Sequence, residues 1–231
     1  LKKTEFLLAS GAKLDARTGE GFTPLLIAAE TNEGAAKLLI SKGASIRAVS
    51  NTGETALHMA AASGSVELTG CLLDRGLNIH QKNAAGQSAI HHAAGSGHYQ
   101  TIKLLIDRGA NCKDFALDRT TPLHQIALFP TAEKDYEYLQ KHASDYYAGL
   151  ALILEKSGPD FIHSVNAQGE SPWFNLKGWM YPLPEKINLF LKHGASKNVK
   201  NSEGRTLLAE LEEGFQDADQ LVPQAKRNYM Q

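Results

Sequence analysis

The chain has 231 residues, enough for one or two globular domains with a sizeable core. Its 24 Lys and Arg against 25 Asp and Glu leave almost no net charge, which argues against a surface built to hold nucleic-acid phosphates. No apolar run approaches the ~20 residues of a membrane span and no signal-peptide pattern opens the chain, so no membrane insertion is expected.

In chain order, Leu7-Leu8 before Gly11-Ala12 has the form of an ending without a beginning. Gly21-Phe22-Thr23-Pro24-Leu25 then opens a unit that Leu38-Leu39 and Gly43-Ala44 close. Thirty-two residues on, Gly53-Glu54-Thr55-Ala56-Leu57 opens another, closed by Leu72-Leu73 and Gly76. Gly86-Gln87-Ser88-Ala89-Ile90 follows 33 later, closed by Leu104-Leu105 and Gly109-Ala110. Arg119-Thr120-Thr121-Pro122-Leu123 opens the next after a further 33. Weaker openings are Gly169-Glu170-Ser171-Pro172-Trp173, with Leu191 and Gly194-Ala195 behind it, and Gly204-Arg205-Thr206-Leu207-Leu208. A period near 33 marks a stacked repeat architecture. Within each unit a hydroxyl at 23, 55, 88, 121, 171 or 206 can cap a first helix. Proline at 24, 122 or 172 fits the first helical position, where its missing N–H is not needed. Glycine at 43, 76, 109, 158 or 194 ends a second helix where a left-handed residue is wanted.

Between Thr121-Pro122-Leu123-His124 and Leu150 to Gly158 lie about sixteen residues more than the period allows. Pro130 ends the preceding helix, Thr131 offers a new cap and Glu133 an acidic first turn. Leu139, Ala143, Tyr146 or Tyr147, Leu150 and Ile153 or Leu154 recur at helical spacing. The spacing predicts added turns on the front of the second helix, from 132 to 156, which at ~1.5 Å per residue is ~37 Å long. The next unit has Trp173-Phe174-Asn175-Leu176 where other units have a leucine, a histidine and then small alanines, so its layer must pack differently. Compensation for the swollen neighbour is the safer reading, and a ligand groove the other. The acidic stretch from 205 onward reads as a polar terminal cap.

The double signature resembles the ankyrin repeat, with T-P-L-H-x-A near the head and L-L-x-x-G-A near the tail. The resemblance covers nearly the whole chain: a half repeat at 1–17, repeats near 18–49, 50–82, 83–115, 116–165 (insertion near 131–146) and 166–200, and a cap at 201–231. It implies an all-α ankyrin-repeat solenoid of one domain, each repeat a hairpin turn followed by two antiparallel helices. It also implies that His58, His91 and His124, which recur at one slot, bond loop backbone rather than metal. The repeat offset sets them too far apart for one ion's ~2 Å bonds. Cys71 and Cys112 read as reduced packing residues, and no motif calls for catalysis, a metal or another cofactor.

Function is then expected in recognition of a protein partner. The resemblance implies a concave face of hairpin tips and exposed first-helix positions. The first repeat puts Glu20, Phe22, Glu30 and Thr31 there, and the third puts small, bland residues. The fourth puts Phe115, Leu117, Asp118, Leu128 and Phe129 in these slots. With Tyr136, Tyr138 and Tyr147 of the insertion they form the expected partner-binding set, since grouped apolar and aromatic surface marks such sites. Covering of the fourth-repeat patch by the insertion stays open as the other reading. Irregular arrays with helical inserts are similar to those of effector proteins that intracellular bacteria deliver into host cells. That extends the expected compartment from the cytoplasm to a host cytosol. The alternative is a regulatory or substrate-recruiting domain of a larger enzyme, which the unpaired half repeat behind Leu1 suggests.

Overall fold

A computed structural model describes residues 2–129, 133–177 and 184–214, with side chains left undescribed at 3, 7, 8, 133–140, 177, 184 and 212–214. Within these residues the secondary structure is helical, apart from two isolated bridges, Val49 with Thr55 and Lys200 with Thr206. The contacts divide the chain into two compact units, one of residues 1–93 and 100–111, the other of 94–99 and 112–231.

The first unit begins with α1 (Lys2–Ala9) and continues with the pairs α2 (Pro24–Thr31) and α3 (Glu33–Ser41), then α4 (Ala56–Ala62) and α5 (Val66–Asp74). Helices α6 (Ala89–Gly95) and α7 (Tyr99–Asp107) complete the regular repeats. Thr23 and Thr55 cap α2 and α4 as expected, each hydroxyl accepting a backbone N–H of the first turn. Ala28, Ala29, Ala60, Ala61 and Ala93 are buried, which lets first helices stack at close range. Leu39, Leu72 and Leu105 are buried, whereas Leu38, Leu73 and Leu104 are only half covered. The tail pairs therefore place one leucine in the core and one at its edge.

The second unit holds α8 (Pro122–Leu128), α9 (Glu133–Ser157), the single turn α10 (Pro159–Ile162), α11 (Pro184–Lys192) and α12 (Leu207–Gly214). The lengthened second helix is observed, but it is not one straight rod. His142 has non-helical angles, φ −126° and ψ 27°, and breaks α9 there. The segment after the break, 143–157, begins within the added turns and continues as the repeat's own second helix, which has 9 residues in α3, α5 and α7. It buries Tyr146, Leu150, Ile153 and Leu154 completely. Thr131, expected as the cap of the inserted turns, lies outside the described residues.

The fifth repeat departs from expectation. Its first helix is a short 3₁₀ turn, Phe174–Lys177, and the Ser171 hydroxyl makes no hydrogen bond among the described residues. Trp173 and Phe174 are buried, with Trp173 against Phe190 of α11 at 5.9 Å between ring centroids. Trp173 stands in the slot that Leu25, Leu57 and Leu123 fill in other repeats and Phe174 in the histidine slot, and with Leu176 they are buried, so these bulky residues serve packing. Cys112 is buried, and burial pushes its thiol up to about 11, which makes it inert near neutral pH.

Candidate protein-binding surface

Neighbouring hairpins are tied together by backbone. Asn51 N–H donates to Glu20 O at 2.9 Å and Ala84 N–H to Thr52 O at 2.8 Å in the first unit. In the second unit Ala167 N–H donates to Asp118 O at 2.7 Å. Gly21 takes φ 80°, and a Cβ there would sit 2.8 Å from the Asn51 amide nitrogen, so only glycine permits this approach.

The recurring histidines brace the same hairpins. His58 Nδ1 accepts the Thr55 N–H at 3.2 Å, and its Nε2 lies 3.1 Å from Gln87 O in the following hairpin. His124 repeats this with Thr121 at 3.2 Å and Glu170 O at 3.2 Å. His91 Nδ1 accepts the Ser88 N–H in the same way. Burial lowers the pKa of His58 and of His124, so neither ring carries charge near neutral pH. They hold loop backbone, as the sequence pattern implied.

On this scaffold the first unit presents a shallow groove of about 430 Å³ lined by Thr18, Gly19, Glu20, Phe22, Ile27 and Glu30. Phe22 is half-buried, and Ile27, which sequence reasoning passed over, is 44% exposed. The fourth turn position of a capped helix is the signal that could have found it. The second unit presents Leu117 at 77% exposure, Phe115 at 37% and an exposed Leu128. Phe115 stacks on Phe161 at 5.8 Å, with the Arg119 guanidinium 5.6 Å above the Phe115 ring and Lys113 Nζ 5.5 Å above Phe161. Arg119 takes φ 63° where the other hairpins have glycine, a conformation disfavoured by ~1–2 kcal/mol for a side chain with a Cβ.

Two members of the expected set stand differently. Phe129 is 2% exposed, so it is a core residue and not a display slot. It terminates α8 in an extended conformation and turns inward onto Tyr146, 5.4 Å away. Tyr146 donates to Ile126 O at 2.8 Å and to Phe129 O at 3.3 Å, and burial raises its pKa well above the usual phenol range. Tyr147 is half-buried, edge-on to Tyr146 at 5.3 Å. The side chains of Tyr136 and Tyr138 lie outside the described residues.

A family model described as ankyrin repeats matches in three copies, over residues 2–83 and 68–148. The chain belongs to the ankyrin repeat family. A search of curated proteins returns no significant match. Among solved structures, the human ASB11 ankyrin repeat domain is 20% identical with a TM-score of 0.72, over 97% of this chain and 90% of that one. A chain from the complex of the Bd0816 predatory endopeptidase of Bdellovibrio bacteriovorus with immunity protein Bd3460 is 25% identical. Its TM-score is 0.65 over 90% of this chain and 98% of that one. The ankyrin repeat domain of Bcl-3, of the IkappaB protein family, is 22% identical with a TM-score of 0.61, over 97% and 91%. Ankyrin repeats generally mediate protein–protein interaction, and that coarse role follows from membership. Among the described residues, no helix is long and apolar enough to cross a membrane.

Proposed function

We propose that the chain is a non-catalytic module that binds a protein partner through its hairpin tips and first-helix faces. The observation that carries this is Leu117, a large apolar side chain left 77% exposed at a hairpin tip. Phe115 and Leu128 in the same repeat are also exposed. Large exposed apolar side chains are the kind that a partner covers, and a few such anchors commonly supply most of an interface's energy. The groove around Phe22 and Ile27 is a second contact region, on the first unit. The finer reading, an effector acting on host proteins, rests only on the irregular insertion in the fourth repeat.

The test is Leu117→Asp beside the unaltered chain, each used as bait in affinity capture from cell lysate. The substitution touches no core contact, so stability should stay within about 0.5 kcal/mol. The set of captured proteins should shrink strongly. Equal capture by both baits would refute a role for this hairpin.

A further inference from the structure

The groove of the first unit has fixed walls. Its hairpin is closed by Thr18 N–H donating to Phe22 O at 3.0 Å and Gly21 N–H donating to Thr18 O at 2.9 Å. The next hairpin fastens it, with Asn51 Nδ2 donating to Gly19 O at 3.0 Å. Glu20 and Phe22 are thereby held before any partner arrives, which lowers the ordering cost of binding. Helix α2 supplies the other wall. Leu25, Leu26, Ala28 and Ala29 go into the core, which leaves Ile27 and Glu30, three residues apart, on the open face.

Two features set this groove apart from the same place in other repeats. The slot of Ile27 holds buried Met59 in the second repeat and polar His92 and Gln125 in the next two, so an exposed aliphatic chain there is peculiar to the first. The other feature is charge. Glu20 and Glu30 both line the groove, and neither side chain has an ion pair or hydrogen bond among the described residues. On the second helices of the same unit, by contrast, Glu33 and Glu67 share Lys37, Asp74 takes Arg108 and Asp107 takes Lys103. Arg17, the cation nearest in sequence, is engaged with Gly21 O and Val49 O. Thr18, Gly19, Phe22 and Ile27 complete the lining, which therefore carries negative charge alone.

We propose that this groove takes a basic, apolar segment of a partner protein, its lysine or arginine facing Glu20 and Glu30 and a neighbouring aliphatic or aromatic side chain covering Phe22 and Ile27. This rests on the reading of hairpin tips and first-helix faces as the binding surface, and adds the chemistry of what they hold. Complementary charge fixes register and excludes acidic competitors. The aliphatic stem of a lysine or arginine can lie along Phe22 while its head reaches the carboxylates. A volume of about 430 Å³ is at the low end of the ~300–1,000 Å³ of ligand sites, which suits a few side chains of an extended segment.

The probe is a phage-displayed library of random peptides of about twelve residues, selected on the unaltered chain. Enriched peptides should carry Lys or Arg within a few residues of Leu, Ile, Phe or Trp. Synthetic copies, measured by fluorescence anisotropy, should bind Glu30→Gln at least about threefold more weakly and Ile27→Ser about tenfold more weakly. They should bind Leu117→Asp as they bind the unaltered chain. Both groove positions are exposed, so these variants should melt with the unaltered chain. Raising NaCl from about 0.05 to 0.5 M should weaken the peptides on the unaltered chain, a readout that needs no variant. No enriched peptide, peptides lacking a basic residue, or peptides indifferent to Glu30→Gln and Ile27→Ser would each overturn the proposal. If the enriched peptides instead lose binding only to Leu117→Asp, the hairpin reading stands and the groove's assignment alone falls. Self-association of the chain that Glu30→Gln abolishes, seen by sedimentation, would give the groove to a second copy and overturn the proposal as well.

Discussion

Lys186 on α11 offers the sharpest test of how the second unit is held together. It is 4% exposed, and its Nζ donates to Ala127 O at 3.1 Å and to Phe129 O, the carbonyls that end α8. It also lies 5.2 Å above the Tyr146 ring. Among the described residues no carboxylate pairs with it. Burial lowers its pKa from 10.5 to about 7. The sign follows from proton counting. Between pH 10 and 7 the unfolded chain protonates this lysine while the folded chain does not, so lowering the pH favours the unfolded state. With a folded pKa of about 7 and an unfolded value of ~10.4, raising the pH from 7 to 9 should stabilise the unit by roughly 2 kcal/mol. Lys186→Met keeps the length and removes the titration, so its stability should lack that increment. Urea unfolding at pH 7, 8 and 9, followed by tryptophan fluorescence, measures it, because Trp173 is fully buried in the same unit. Parallel pH profiles for the two proteins would refute the reasoning. They would mean that the Tyr146 face and the two carbonyls hold the ammonium charged despite its burial.

Two further outcomes follow from the same region. Phe129→Ala should lower stability by ~3–5 kcal/mol in thermal unfolding by circular dichroism, the usual range for a deleted core ring, because Phe129 is packed on Tyr146 and not displayed. Gly97→Ala should destabilise by more than ~1 kcal/mol in the same assay, since Gly97 has φ 69° and a new Cβ would lie 3.1 Å from both the Phe129 and Tyr146 rings.

The regular repeats were legible because each residue's role there is set locally and recurs. Threonine before the first helix, histidine at its third position and glycine after the second helix each answer one backbone requirement within a few residues. A period near 33 repeats that answer. Phe129 shows where such reading stops. It follows Leu128 at the helix-end slot that Ser63 and Ser96 occupy in the regular repeats, and by register it belongs on the surface. The backbone there is extended instead of helical, φ −64° and ψ 140°, so the ring swings under Tyr146. Register predicts a side chain's direction only while the backbone keeps the repeat's angles.

The period alone leaves open whether the insertion is displayed or packed, and among its described residues Tyr146 is internal. The break at His142 leaves the later part of α9 in the place of a normal second helix, and Tyr146 from that part fills the space beside Gly97. Its hydroxyl donates to Ile126 O and Phe129 O and the Lys186 Nζ to Ala127 O and Phe129 O, so between them they satisfy the carbonyls that end α8. Nothing in the sequence links residues 126–129, 146 and 186, since their separations fit neither the helical period nor the repeat. The same holds for Glu54 and His92, 38 residues apart, which only the stacking of successive hairpins brings to 3.6 Å. Pairings across repeats that depart from the consensus are set by packing, so they had to be found in three dimensions. They are also where this chain differs from a generic member of its family, and fold alone does not supply specificity for a partner.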